Sequence, residues 1–185
     1  MSTRAALLKS RTAVAHAAVE TRLTALRPFA TRARYGRFLR AQLQFHCHVE
    51  PLYRQDLLPG GGHGSRLALI EADLRDLGLE PVGDDAGADM SAPAAAGWLY
   101  VAEGSKLGAA ILFRAVAGLG LDAGFGARHL AGQGEARARD WRRFTETLNA
   151  LTLTPVQDEA MVAAANAAFG FFAAGMERAF AGAEA

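Results

Sequence analysis

The stretch AAAGWLYVAEGSKLGAAILFRAVA, residues 94–117, decides how this chain is read. Alanine and leucine dominate it, β-branched residues never run together and no proline interrupts it, so it reads as a helix. Inside it stand Gly97, Gly104 and Gly108. A glycine within a helix costs about 1 kcal/mol against alanine, so the pair four residues apart in Tyr100–Gly108 (YVAEGSKLG) needs a structural reason. Two reasons stand open. Either the backbone comes close to something, or bends over it, or two helices pack tightly through small residues.

Outward from this segment the same composition continues, and helices follow one another along the chain. The first is expected over about Thr3 to Leu26, ending before Pro28. A second opens at Thr31, a good N-cap, and runs until Pro51 interrupts it. A third, about Arg66 to Leu77, carries Leu67, Ile70, Leu74 and Leu77 at helical spacing, with Gly78 in the C′ position. Gly118 to Gly134 reads as a glycine-rich connection, followed by a helix over about Arg137 to Leu151. Thr154-Pro155-Val156-Gln157 is a capping box with proline at the first helical position, starting a last helix to about Phe180. Leu57 to Ser65 and Pro81 to Asp89 read as loops. No repeat emerges. The expectation is an all-α, single-domain helical bundle spanning residues 1–185.

Composition excludes several classes of function. A net charge of +1 gives no bulk electrostatic case for nucleic acid. Cys47 is the only cysteine, so no internal disulfide can form. Residues 1–8 lack the apolar run of a signal peptide, and 160–176, mostly alanine and glycine, fall short of a membrane span. No membrane association and a cytoplasmic location are therefore expected. PGGGHGS lacks the Lys-Ser/Thr ending of a P-loop, and Gly118-x-Gly120 follows a helix rather than a strand. His46 and His48 point about 200° apart on a helix and cannot chelate one ion.

The N-terminal helix offers a different signal. Lys9, His16 and Glu20 share one face, and alanines flank the imidazole at positions 13, 15 and 17. A flat ligand could lie close against such a surface, with Glu20 orienting His16 and Lys9 reaching an anionic edge. An ordinary helix histidine beside a chance i,i+4 carboxylate is the other reading. Together, the histidine on one helix and the glycine-softened helix elsewhere supply the two walls needed to sandwich a planar macrocycle.

LKSRTAVAHAAVETRL, FLRAQLQFHCHVEPLY and LYVAEGSKLGAAILFR, with ALIEADLRDLGL and GARHLAGQGE, resemble the bacterial haem oxygenase family over nearly the whole chain. EGSKLG is the more specific motif. The resemblance implies that His16 is the axial ligand of the haem iron, supported by Glu20, and that Gly104, Ser105 and Gly108 lie on the distal helix. It implies that Lys9 and Tyr100 hold the haem propionates, that Phe169 packs against the haem, and that Gln42 and His46 anchor a distal water network. Phe169, in a cluster with Phe171 and Phe172, also reads as core, and His46 as an ordinary helix histidine.

The chemistry implied is oxidative cleavage of haem, both substrate and cofactor, to biliverdin, ferrous iron and carbon monoxide with dioxygen as co-substrate. The Lys9 and Tyr100 pair implies the alpha isomer. The chain carries no flavin or iron–sulfur motif, so a ferredoxin or reductase would deliver electrons, and a biliverdin-using photoreceptor is an expected downstream partner. Arginines at 32, 34 and 37 and at 137, 139, 142 and 143 could receive an acidic donor, or simply be solvated faces. The rival readings are a haem carrier that leaves its ligand intact and a fold relative acting on another small molecule.

Overall fold

The structure, a computed structural model, describes residues 3–54, 64–83, 90–132 and 136–182. These form α1 (Arg4–Arg11), α2 (Ala13–Leu26), α3 (Arg32–Arg54), α4 (Leu67–Asp76), α5 (Ala92–Ala117), α6 (Arg128–Ala131), α7 (Ala136–Ala150) and α8 (Pro155–Phe180). Among the described residues there is no strand, only an isolated bridge between Asp122 and Gly126. The fold is all-α, as expected. Parts of the expected loops 57–65 and 81–89, and residues 133–135 of the GARHLAGQGE segment, lie outside the described residues.

Three boundaries differ from the sequence reading. The N-terminal helix breaks at Thr12, whose backbone leaves the helical region (φ −108°, ψ 1°). Its buried hydroxyl donates back to the Leu8 carbonyl at 2.8 Å, the local bond by which threonine competes with a helix. Pro51 does not end α3, which continues to Arg54. The glycine-rich connection contains α6, set up by Asp122, whose Oδ1 accepts from the amides of Gly124 (2.7 Å) and Phe125 (3.0 Å). Tyr35 then donates its hydroxyl to the Gly126 carbonyl at 2.9 Å, and Asp76 accepts from the Gly126 amide at 2.7 Å.

The capping signals hold. Thr154 Oγ1 accepts from the Gln157 amide (3.3 Å), and Gln157 Oε1 accepts from the Thr154 amide (2.9 Å). Gly78 takes the left-handed conformation (φ 70°) just past α4.

The long helix α8 is the hub, with α1, α2, α3 and α5 packed on it. By length and composition α8 reaches the size of a membrane span, contrary to the expectation for 160–176, but 44% of its most apolar window is buried within this bundle. Close packing has one clear locus. A Cβ on Gly97 would sit 2.3 Å from the Met161 carbonyl oxygen, so α5 and α8 touch backbone to backbone there. Leu8, Phe45, Trp98 and Phe144 fill the core at one end, and Tyr35, Phe38, Ile70 and Leu74 fill it at the other.

α2 is unlike the rest. None of its residues is buried. It is tied to α8 by Arg22–Glu177 (2.7 Å), with Arg11–Glu159 (2.9 Å) just before it on α1, and its far side stays open.

Candidate functional site

α2 and α5 both lie on α8 without packing on each other, so they form two walls over a common floor. Small residues and the α8 attachment leave one face of α2 uncovered, and Lys9 on α1 and His16, Ala17 and Glu20 on α2 are exposed. The His16 side chain is 57% exposed, with Nδ1 3.6 Å from Glu20 Oε1. Phe169, from the α8 floor, meets the His16 ring edge-on at 5.6 Å between centroids. The aromatic ring therefore supports the imidazole itself.

The α5 wall answers the question posed by its glycines. Gly104, Leu107, Gly108 and Ile111 recur at helical spacing and share one face. A Cβ on Gly108 would meet nothing within 4 Å, and one on Gly104 would meet only the Trp141 ring at 3.5 Å. Helix packing thus explains Gly97 and does not explain Gly104 or Gly108. Leu107 and Ile111 flank them, Ile111 being 71% exposed although apolar. A bare backbone strip bordered by exposed aliphatic side chains is a cradle for a flat, apolar ligand.

The other expected residues fall in two places. Tyr100, one turn before Gly104, is buried against Trp141 at 5.5 Å, and that burial pushes its phenol pKa up. Ser105 turns its hydroxyl toward α4: it donates to the Ala102 carbonyl (2.7 Å) and accepts from Arg66 Nη2 (2.5 Å). Gln42 is half-buried on α3. His46, one turn on, is fully buried with neither ring nitrogen hydrogen-bonded. Burial first, then the charges of Arg66, His129 and Lys106, hold its pKa well below the ordinary histidine value, so it is neutral.

Sequence reasoning missed the polar groups around His46. Asp73, Arg66, Glu103 and His129 are all buried. Asp73 Oδ2 lies 2.8 Å from His129 Nδ1, and Arg128 closes on both Asp73 and Asp76. Glu103 accepts from Lys106 (2.6 Å) and from the Tyr53 hydroxyl (2.8 Å). One signal was available: Asp73 sits three residues after Ile70 on the apolar stripe of its helix, a carboxylate in a core position.

The arginine stretches separate. Arg32 donates to the Leu119 and Gly120 carbonyls (2.7 and 3.1 Å), Arg34 to Leu26 (2.7 Å) and Arg37 to Ala179 (3.3 Å). The first stretch is therefore committed to backbone carbonyls that end helices and line loops. Arg139, Arg142 and Arg143 remain exposed on α7. His48 lies between Trp98 (4.4 Å) and Phe171 (4.9 Å), away from His46, and no metal-binding cluster occurs among the described residues.

This architecture is shared with known proteins. The heme oxygenase family model matches residues 82–178. The heme oxygenase PigA of Pseudomonas aeruginosa is 42% identical over 173 residues, covering 90% of this chain and 87% of that protein. The heme oxygenase of Neisseria meningitidis, solved with NO and CO bound, superimposes with a TM-score of 0.90 at 36% identity, covering 100% of this chain and 96% of that one. With two helical walls over α8, a histidine on one and a bare glycine strip on the other, the chain belongs to the haem oxygenase family of haem-degrading enzymes.

Proposed function

We propose that this enzyme, one domain over its whole length, cuts haem to biliverdin, ferrous iron and carbon monoxide, using dioxygen and electrons from a separate ferredoxin or reductase. The observation that carries the reading is the open face of Gly104 and Gly108, set across the α8 floor from the exposed His16. The residues fit the group: a planar macrocycle needs one imidazole, small side chains beneath it and bare backbone above it. When bound, haem supplies iron-centred dioxygen activation and is itself the skeleton that is cut.

The chain's own residues then have distinct tasks. His16 would hold the iron through a ring nitrogen, with Glu20 beside Nδ1 and Phe169 edge-on to hold the ring. Lys9 offers an ammonium to a propionate, and Tyr100, kept protonated by burial, offers a hydroxyl to it. That pair fixes the in-plane rotation and favours the alpha isomer. Gly104 and Gly108 leave no side chain to donate a proton directly at the distal face. Gln42 and the neutral His46, with two unbonded ring nitrogens, hold water instead. A cytoplasmic enzyme of this kind could pass biliverdin to a pigment-using photoreceptor.

Reconstitution with haemin followed by reduction in air tests the reading. The Soret band should decay as biliverdin absorbance grows, and chromatography should show the alpha isomer. A Soret band that persists through reduction would make the protein a carrier, and mainly beta or delta biliverdin would overturn the rotation set by Lys9 and Tyr100.

A further inference from the structure

The helix α7 packs on α1, which carries Lys9, and on α5, which carries Tyr100. It is tied to α1 at its far end: Asn149 Oδ1 accepts from the Ala5 amide (3.0 Å), and Arg4 donates to the Leu151 carbonyl (2.6 Å). Along its inner face run Trp141, Phe144 and Leu148 at helical spacing. Phe144 and Leu148 are fully buried in the core. Trp141, next on the stripe toward the start of α7, is half-buried.

An indole that ends a core stripe ordinarily needs no further reason, but its contacts give this one a place at the edge of the cradle. It stacks on Phe144 at 5.6 Å between centroids, with 23° between the planes. It meets the Tyr100 ring at 5.5 Å and 52°. The tip of its six-membered ring stands over Gly104 with room for one methyl group between them: a Cβ there would sit 3.5 Å from Cη2 and 3.6 Å from Cζ3. The indole therefore spans the turn of α5 from Tyr100 to Gly104, backed by Phe144.

Tyr100 is enclosed except at its polar end. The side chain is buried, yet the hydroxyl has no hydrogen-bond partner among the described residues and stays open to solvent. With no bond of its own to fix its direction, such a phenol points where the rings packed on it make it point.

We propose that Trp141 is a positioning residue for regiospecificity: it orients Tyr100, and through that hydroxyl it fixes the in-plane rotation of bound haem. The assignment rests on the haem reading above.

Two measurements on the full-length protein test it. One is the haem-methyl proton resonances of the cyanide complex, which report in-plane orientation without turnover. The other is the ratio of the parent's main biliverdin isomer to the rest after reduction in air. In Trp141→Ala the methyl resonances should show a second orientation, and the isomer ratio should fall by about fivefold or more. Trp141→Phe, which keeps a flat ring on Phe144 and loses the tip over Gly104, should fall between that variant and the parent. Because Trp141 acts through Tyr100, adding Trp141→Ala to Tyr100→Phe should change the ratio by less than about twofold. A parent that forms no histidine-ligated haem complex would sink the haem reading and this one with it. Where the parent binds and cuts haem, parent-like orientation and ratio in both Trp141 variants would overturn the Trp141 assignment alone. So would a double variant in which the two effects multiply.

Discussion

Three glycines on one helix do different work, and their substitution should separate packing from ligand binding. Adding a methyl at Gly97 drives it into the Met161 carbonyl and the Ala165 amide at 2.9 Å, both backbone atoms that cannot yield without moving α8. Overpacking of this kind costs about 1–3 kcal/mol, so Gly97→Ala should lower the melting temperature of the haem-free protein by roughly 3–10 °C. Gly108→Ala meets nothing and gains helix propensity of about 1 kcal/mol, so its melting temperature should rise by about 2–4 °C. The same methyl projects from the face proposed to lie over haem, so the haem titration of Gly108→Ala should weaken. A Gly108→Ala protein that melts lower than the parent would mean that α5 packs on something at this point. His16 is the second test at this scale: His16→Ala should abolish the histidine-ligated haem spectrum while leaving the haem-free fold intact, since the side chain is exposed. Glu20→Ala, removing only a neighbour at 3.6 Å, should weaken haem affinity by up to about tenfold.

At the scale of elements, α2 is the one whose stability is borrowed. It buries no residue, begins at the Thr12 break and ends on Arg27, a non-glycine residue in the left-handed region (φ 43°). That conformation costs a side-chain-bearing residue about 1 kcal/mol, which glycine avoids. Arg27→Gly should therefore leave the melting temperature unchanged or slightly raised, although it removes a charge. In hydrogen exchange, α2 amides should be among the fastest of the long helices in the haem-free protein and slow markedly once haem covers the open face. Equal protection of α2 with and without haem would contradict its role as a wall. The helices themselves were legible, because caps such as Thr154–Gln157 and the Gly78 stop are local chemistry. The breaks were less so. Thr12 interrupts by a side-chain bond that sequence shows only as an ordinary threonine, and Pro51 is tolerated near the end of α3. α6 depends on Asp76 and Tyr35, which lie 50 and 91 residues from Gly126.

The same distance in sequence hid most of the buried polar groups, and those groups govern how the whole molecule responds to pH. His16, Glu20, Gly104 and Gly108 were readable as spacings on single helices. Arg66 and Asp73 belong to α4 and its N-cap, Glu103 to α5 and His129 to α6, so no spacing on a single helix unites the four. His46 and His129 are both fully buried, and burial is the first cause of their lowered pKa values. The unfolded chain takes up protons at these positions as pH falls below about 6.5, and the folded protein does not. Stability from this source is thus complete above about pH 6.5 and is lost below it, by up to about 1.4 kcal/mol per pH unit for each histidine. On the alkaline side the sign reverses. Tyr35 and Tyr53, raised chiefly by burial, stay protonated in the fold while the unfolded chain ionises above about pH 10, so stability falls there too. Lys106, lowered chiefly by burial, adds stability as pH rises toward about 10.5 and nothing beyond it, so it does not offset the tyrosine loss. A plateau between about pH 6.5 and 10 should therefore appear in urea midpoints measured across pH. His46→Phe removes one titrating group while keeping bulk, and it should make the acid limb shallower by about one histidine's share without moving the alkaline limb. An acid limb that begins only near pH 4, where carboxylates titrate, would show that the two histidines are protonated as readily in the fold as outside it.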